Sequence, residues 1–185
     1  MVLPIIAYGD PVLRKKGEEI TKDYPNLEKL IDDMFETMER SRGVGLAAPQ
    51  IGKAIRLFVI DSTAMYDDGE EDKGLREVFI NAKIIDETGE EWRFEEGCLS
   101  IPTIREEVSR QPKIVIQYYD RNFNFKEAKF DDMTARVIQH EYDHIEGKLF
   151  IDHLKPLKKQ LLKSKLERIS KGQVDVSYKM KFPKK

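Results

Sequence analysis

The sequence predicts a domain that mixes α-helices with β-strands. Apolar residues recur at helical spacing from Leu27 to Met38, with charged residues between them. Strand-like composition or alternation marks four further runs, at 55–61, 77–85, 113–119 and 123–130. A chain of 185 residues, 40% hydrophobic and 36% charged, can bury one core beneath a solvated surface. We therefore expect a single domain over residues 1–185.

Charge, hydropathy and cysteine content argue against several classes of protein: nucleic-acid binders, membrane-spanning proteins and secreted proteins. The net charge of -2 and the pI near 6.0 argue against a general nucleic-acid binder, so we expect no direct sequence-specific contact with nucleic acid. No apolar run approaches the roughly 20 residues that span a bilayer, and the first residues lack the basic start of a secretion signal. The only cysteine, Cys98, excludes an internal disulfide and fits a reducing compartment. These features predict a cytoplasmic protein without membrane contact.

The first element along the chain is a loop, and a helix follows it. A Gly-Asp-Pro turn signal at 9–11 favours loop for residues 1–24. The helix is expected to hold Pro25 in its first turn, where proline is tolerated, and to end near Arg42–Gly43. Its stripe of Met and Phe is typical of core packing.

Three connecting segments come next. Residues 43–52 (GVGLAAPQIG) lack the GxGxxG pattern and a following Lys-Ser/Thr, so on their own they predict a tight helix-to-strand turn. The acidic stretch 62–76 lacks the spacing of a calcium-binding loop and is predicted to be a solvated surface loop. Residues 120–122 are a turn signal that joins two of the strands as a hairpin.

The last third of the chain predicts two helices and a tail. A helix over 132–146 is expected to end at Gly147. A second helix runs from Pro156 to about Ser170, basic on one side, with four leucines assigned to the other face: Leu157, Leu161, Leu162 and Leu166. The tail 172–185 alternates apolar and polar residues over 174–180, which fits an additional edge strand.

The helix over 132–146 carries the pattern H-E-x-x-H. His140 and His144 lie four residues apart, so on a helix both imidazoles face the same side and reach one cation. Glu141 is placed to take a proton from metal-bound water without ligating the metal. The alternative is a pair of ordinary helix histidines beside an ordinary glutamate.

A third ligand decides the chemistry of such a site. The metzincin extension of the motif requires a histidine where this chain has Phe150, and His153 comes three residues too late. The other candidate is Cys98. A lone cysteine is often a small buried hydrophobe, but its place after Glu-Glu-Gly and before Leu-Ser, upstream of the helix, favours ligation.

Three segments together resemble the signature motifs of the peptide deformylase family. In the order and separation that the family shows, they are GVGLAAPQ at 43–50, EGCLS at 96–100 and HEYDH at 140–144. The resemblance runs from about Leu3 to Lys158. The acidic loop at 67–76 and the tail after Gly172 are less typical of the shorter members.

The resemblance implies an α+β fold in which antiparallel sheets surround a central H-E-x-x-H helix, with a further C-terminal helix. It implies hydrolytic removal of the formyl group from the N-terminal methionine of newly synthesised proteins, with release of formate and with metal-bound water as the nucleophile. The implied metal is Fe(II), and zinc, nickel or cobalt can occupy the same site. The implied substrates are N-formylmethionyl peptides and nascent chains in the bacterial cytoplasm. A ribosome contact through the basic helix after Pro156 is a hypothesis.

The family's metal ligands and its acid–base residue match four positions here. The resemblance implies that Cys98, His140 and His144 hold the metal. It implies that Glu141 acts first as general base and then as general acid, delivering its proton to the departing amine.

The resemblance also implies contacts to the substrate. The Gln50 side-chain amide and the Leu99 backbone N–H would donate to the oxygen that becomes negative in the tetrahedral intermediate. Gly45 would let the substrate backbone pass close by. Arg105 would lie near the peptide backbone, although an ordinary surface charge explains this residue equally well. The expected methionine pocket and the charged residues near the peptide backbone are Val44, Phe94, Met133, Val137, Glu95 and Arg105.

Two other classes of protein stay open at this point. A zinc metallopeptidase would use the same helix motif on internal amide bonds, although Phe150 stands at the metzincin ligand position. A non-catalytic binding module stabilised by metal would need a closed four-ligand site, for which His153 is the only spare soft ligand.

Overall fold

The computed structural model describes residues 1–184, within which it has three α-helices and nine β-strands. The helices are α1 (Leu27–Arg40), α2 (Asp132–Ile145) and α3 (Pro156–Ser170). The strands are β1 (Ile5–Ile6), β2 (Gly45–Ala47), β3 (Leu57–Asp61), β4 (Arg76–Thr88), β5 (Trp92–Cys98), β6 (Ile101–Arg110), β7 (Lys113–Tyr119), β8 (Phe125–Phe130) and β9 (Met180–Lys181). None of the helices described is both long enough and apolar enough to cross a bilayer.

The main sheet has five strands in the order β2-β3-β4-β7-β8, and every neighbouring pair is antiparallel. Its third strand, β4, carries two register shifts where it pairs with β7. β5 and β6 form a separate antiparallel hairpin, and β1 and β9 form a short parallel pair. The prediction of a domain that mixes helices with strands is confirmed.

The first four residues of strand β3 are apolar because helices cover both faces of the strand there. Leu57 and Val59 belong to a hydrophobic cluster that includes residues of α1. Phe58 and Ile60 belong to a second cluster that includes residues of α2. Side chains alternate across a strand, so a strand buried on both faces reads as a continuous apolar run. The two helices therefore sit on opposite faces of the sheet at β3.

The β5–β6 hairpin was not predicted from the sequence. Its inward positions include Glu96 and Arg110, which are 5% and 6% exposed, and such charged residues interrupt the apolar alternation that marks a strand. The tight link between the two strands is the turn at Leu99–Ser100. The hairpin matters for function because Cys98 is the last residue of β5.

The two ends of the described chain meet in the β1–β9 pair. The N-terminal 24 residues were predicted to be loop, but they contain β1 and a 3-10 helix at Pro11–Arg14. The alternation predicted over 174–180 is present in the burial of those residues, yet strand pairing is confined to Met180–Lys181, which pair with Ile5–Ile6. The acidic stretch 62–76, predicted to be loop, contains two short 3-10 helices, at 63–65 and 71–73.

Helix boundaries differ from the predictions in two places. Helix α1 begins after Asn26, which adopts a left-handed conformation with φ 56, so Pro25 precedes the helix and is not in its first turn. Helix α1 ends at Arg40, earlier than expected. On α3 only part of the leucine face is buried: Leu162 and Leu166 pack into the core, whereas Leu157 and Leu161 are 70% and 68% exposed.

The segment 43–52 is more than a turn. It forms strand β2 and then a 3-10 helix at Ala48–Ile51. A Cβ atom at Gly45 would lie 2.5 Å from Glu141 Oε1, so a glycine is required where β2 passes the helix. The segment thus brings Gln50 and Gly45 to the same place as the H-E-x-x-H helix.

Candidate metal centre and active site

Three side chains converge where the β5–β6 hairpin meets α2. The ligand atoms of Cys98, His140 and His144 all lie within 4.8 Å of one another. The Cys98 Sγ and the His144 Nε2 are 3.4 Å apart. One sulfur and two imidazole nitrogens are a donor set that suits divalent iron, zinc, nickel or cobalt. The three residues named from the sequence as metal ligands are therefore brought together.

The His140 ring is held by a buried carboxylate. His140 Nδ1 lies 2.8 Å from Glu96 Oε1, and Glu96 is itself buried. Metal-binding histidines commonly donate a hydrogen bond from their second ring nitrogen to a carboxylate. This bond sets the orientation of the ring and leaves the other nitrogen free for the metal. Burial alone would raise the pKa of Glu96, but hydrogen bonds with His140 and Arg110 outweigh it and hold that pKa well below its usual range. Glu96 is therefore a carboxylate at neutral pH.

Two buried arginines balance the charge of Glu96. Arg110 donates to both carboxylate oxygens of Glu96 at 2.7 and 3.0 Å, and Arg136 donates to one of them at 2.8 Å. Arg110 also donates to Asp143 at 2.9 Å, and Asp143 is 2.8 Å from His153. The charges of the paired carboxylate and guanidinium groups compensate one another, as buried charges must. His153 is bound to this network and is not among the three ligand residues that the described chain brings together.

Glu141 lies beside the ligands and is almost completely buried. It is 4% exposed, and within residues 1–184 its Oε2 atom has no hydrogen-bond partner. Burial raises the pKa of Glu141 to about 7, against a usual value of 4.5. A buried carboxylate without a partner is costly to keep, which is typical of a group with a chemical role.

Gln50 reaches the same site from the 3-10 helix. The Ala47 N–H donates to Gln50 Oε1 at 2.9 Å, which fixes the orientation of the side-chain amide. The Gln50 Nε2 then donates to Cys98 Sγ at 3.4 Å and to Ser100 Oγ at 3.2 Å. The amide donor is thus held next to the sulfur and to the hairpin turn that contains Leu99.

A cavity of about 560 Å³ opens onto these residues. Most of the expected substrate contacts line it: Val44, Gly45, Phe94, Glu95, Arg105 and Val137. Met133 is half-buried and lies outside the set of described residues that line the cavity. Arg105 and Glu95 form an ion pair of 3.3 Å on the hairpin surface, and both side chains are 60% exposed. The contact of Met133 with the substrate methionine side chain, expected from the sequence, stays a prediction.

Several residues at the site were missed by the sequence reasoning. The supporting charges Glu96, Arg110 and Arg136 carried no sequence signal beyond the place of Glu96 in EGCLS. The cavity is also lined by residues 175–178 of the tail. For that segment the alternation of the tail was the only hint, and it did not indicate a position at the cavity.

Replacing Glu96 by glutamine is expected to weaken metal binding about 10–100-fold, the usual effect of losing a residue that orients a ligand. The neutral amide can no longer hold the His140 ring as a charged acceptor, and it leaves Arg110 partly uncompensated. The measurement is anaerobic competition for the metal with a chelator. Glu95→Gln is the matched control, because it makes the same change on the adjacent, exposed residue. Equal metal affinity in both variants would show that Glu96 does not support the site.

Comparison with known proteins agrees with the geometry. The polypeptide deformylase family model matches residues 2–160. The chain is 58% identical to a peptide deformylase of Christiangramia forsetii, over 99% of this chain and 97% of the relative. It is similar to the crystal structure of a peptide deformylase from Legionella pneumophila, with a TM-score of 0.79 and 39% identity, covering 94% of this chain and 98% of the other. It is also similar to that of Ehrlichia chaffeensis in complex with actinonin, with a TM-score of 0.82 and 36% identity over 94% and 99%. This chain belongs to the polypeptide deformylase family.

Proposed function

We propose that Cys98, His140 and His144 hold one ferrous ion, and that zinc, nickel or cobalt fits the same three ligands. The donor set on the hairpin and the helix supports this, as does the carboxylate that orients His140. When bound, the ion supplies a Lewis acid and a water activated for attack at neutral pH. We also propose that residues 1–185 form one catalytic domain with the H-E-x-x-H helix α2 enclosed by its sheets.

The reaction of the family is the function of this chain. It removes the N-terminal formyl group from newly synthesised proteins by hydrolysis. Water adds to the formyl carbon, the C–N bond breaks, and the products are formate and a free α-amine. The observation that carries the residue-level account is the convergence of one sulfur and two imidazoles beside the buried Glu141, whose Oε2 atom has no hydrogen-bond partner within residues 1–184, next to one cavity.

Glu141 is the proton-transfer group in this account. Its pKa near 7 lets it exchange a proton at neutral pH, which suits a general base that later acts as a general acid. It first accepts a proton from the attacking water and then delivers it to the departing nitrogen. Gly45 packs closely against this carboxylate, which helps to hold it in place.

Gln50 and Leu99 stabilise the charge that develops on the formyl oxygen. The amide of Gln50 is preoriented by Ala47, and the Leu99 N–H belongs to the turn that follows the Cys98 ligand. Donors fixed in advance of the reaction stabilise a developing oxyanion without reorganisation at the moment of attack.

Gln50→Ala is expected to lower kcat roughly 10²–10³-fold, the effect of losing one oxyanion donor. Metal content, measured on the same preparation, is expected to stay near that of the wild type because Gln50 is not a ligand. Gln117→Ala is the control, since Gln117 pairs with Glu127 on the exposed side of the sheet. A kcat that is unaffected by the loss of Gln50 would remove this residue from the mechanism.

The methionine side chain is proposed to enter the apolar part of the cavity. Val44, Phe94 and Val137 line it beside the ligands, and Gly45 leaves room for the substrate backbone. Glu95 and Arg105 stand at its exposed edge, where they can meet the peptide chain.

One experiment tests the whole account. Metal analysis is combined with a formate-release assay on a formyl-Met peptide and on the same peptide without the formyl group. We expect one metal ion per chain and formate release from the blocked peptide alone. Cleavage of the unblocked peptide would instead indicate a metallopeptidase, and bound metal without any turnover would indicate a binding module.

We propose that this protein acts on nascent polypeptides in the bacterial cytoplasm. A reducing compartment of this kind also fits its single cysteine, which forms no internal disulfide. Helix α3 supports a ribosome contact, because its outer face carries exposed lysines next to Leu157 and Leu161. Exposed basic residues attract the phosphate backbone of RNA through a screened, sequence-independent interaction.

Reversing two charges on α3, Lys159→Glu with Lys163→Glu, is expected to reduce co-sedimentation with ribosomes at low salt. The control reverses the exposed Lys22 and Lys53, which lie outside α3, and keeps the net charge of the two variants equal. Formate release from a free peptide should be unchanged in both. Co-sedimentation that is equal in the two variants would rule out α3 as the contact.

A further inference from the structure

The tail after α3 returns to the active-site cavity. Residues 175–178 line the cavity, and the residues that follow pair with the N-terminal strand β1. Ile5 N–H donates to the Lys179 carbonyl and Ala7 N–H donates to the Lys181 carbonyl, both at 2.9 Å. The family model ends at residue 160, so this segment is a feature of the chain that the match does not cover.

One side chain of the tail is bonded to the hairpin turn beside the ligand Cys98. The Tyr178 hydroxyl donates to the Leu99 carbonyl at 2.7 Å. The next residue of the turn is held from two other directions. Tyr8 N–H donates to the Ser100 carbonyl at 2.9 Å, and Gln50 Nε2 donates to Ser100 Oγ at 3.2 Å. The turn at Leu99–Ser100 is thus fixed by groups from outside its own hairpin.

We infer that Tyr178 is a positioning residue that fixes the Leu99 peptide for catalysis. The inference rests on the proposed function, in which the Leu99 N–H donates to the developing oxyanion. A two-residue turn can rotate its peptide groups unless they are bonded, and a rotated N–H would no longer meet the substrate oxygen. Tyr178 fixes the Leu99 carbonyl through its hydrogen bond. The Leu99 N–H lies on the other side of the same Cα atom, so its rotation is restrained as well. An oxyanion donor is effective only when it is oriented before the reaction.

The surroundings of Tyr178 suit this role. Its ring packs, together with Leu99, against the hydrophobic cluster that includes α1 residues, so the ring is held independently of its hydroxyl. Burial raises the pKa of Tyr178, which keeps the hydroxyl protonated and able to donate. Removing the hydroxyl alone therefore tests the hydrogen bond without emptying the space that the ring fills.

The test is Tyr178→Phe in the metal-loaded protein. We expect kcat to fall about five- to twentyfold with KM within about twofold, which corresponds to the loss of one buried hydrogen bond felt mainly in the transition state. Hydrogen–deuterium exchange of a peptide covering residues 97–101 should become faster, with metal content unchanged. Tyr118→Phe is the matched control, because the buried Tyr118 hydroxyl donates to Glu77 at 3.0 Å and Tyr118 is not among the residues that line the cavity.

Three results would overturn the inference. The first is a Tyr178→Phe variant with the kcat and the exchange rate of the wild type. The second is an equal loss of kcat in Tyr118→Phe, which would indicate general loosening of the fold. The third is a loss confined to KM. If the metal-loaded wild type released no formate, the proposed function would fail, and the exchange measurement alone would still decide whether Tyr178 fixes the turn.

Discussion

Glu141→Ala is expected to retain the metal ion and to lose deformylation, with kcat reduced about 10²–10⁴-fold or more, the range that general acid–base catalysis contributes. The reason is geometric. Glu141 is adjacent to a ligand but is not one of the three converging ligand residues, and its Oε2 atom has no hydrogen-bond partner within the described chain. The measurement is formate release per bound metal ion. Loss of metal from the variant would show instead that the carboxylate has a structural role.

Glu141→Gln separates proton transfer from packing, since it keeps the size of the side chain. It also predicts an effect on stability in the metal-free protein. Burial raises the pKa of Glu141 from 4.5 to about 7, so the folded state favours the protonated acid. Stability is therefore lost as the pH rises from 4.5 through 7, and the loss is complete above that range. The glutamine variant, which does not ionise, should lack this part of the pH dependence of Tm. Parallel curves for the two metal-free proteins between pH 5 and pH 8 would contradict the assignment.

Cys98→Ser is expected to weaken metal binding by more than the roughly 10–100-fold that follows loss of a residue that only orients a ligand. A serine hydroxyl does not ionise at neutral pH, whereas a cysteine thiol binds a metal as the thiolate. Formate release should fall in proportion to the metal that is lost. The measurement is metal content after dialysis, together with the activity of each preparation.

The control for this variant is the wild-type protein stripped of metal and reloaded with the same ion. It shows how much activity is lost through the removal and reloading of the metal alone. Cys98→Ser reloaded at high metal concentration should recover part of its activity, because His140 and His144 are unchanged. Unaltered metal content and activity after dialysis would take Cys98 out of the metal site.

The parts of this fold that the sequence predicts are those with an uninterrupted pattern. Strand β7 was predicted at its observed bounds, and α2 to within one residue, because each has one face that packs against the core. The β5–β6 hairpin was not predicted because the charged residues Glu96 and Arg110 occupy its inner face. In a sequence, the residues of a buried ion pair look like surface residues, and nothing marks which of the 34 acidic residues are buried.

In the site, too, the sequence predicts contacts between residues that are close in the chain better than contacts between distant ones. Spacing alone predicts that His140 and His144 share one side of a helix. No spacing rule predicts the approach of Cys98, which precedes His144 by 46 residues; its neighbours in the sequence favoured ligation, and the family resemblance implied it. The position of Tyr178 beside Leu99 depends on how the tail packs after α3, and no local pattern encodes that path.

The distance along the chain between the ligands has a consequence for folding. An ion held by Cys98 and by the histidines of α2 acts as a removable cross-link that closes a long loop, and the free energy of its binding adds to that of the folded state. Chelation should then loosen the joint between the β5–β6 hairpin and α2, while the five-stranded sheet, whose apolar clusters contain none of these ligands, keeps its packing. In the proposed metal-bound protein, the ion would therefore also link two parts of the molecule that carry separate hydrophobic cores.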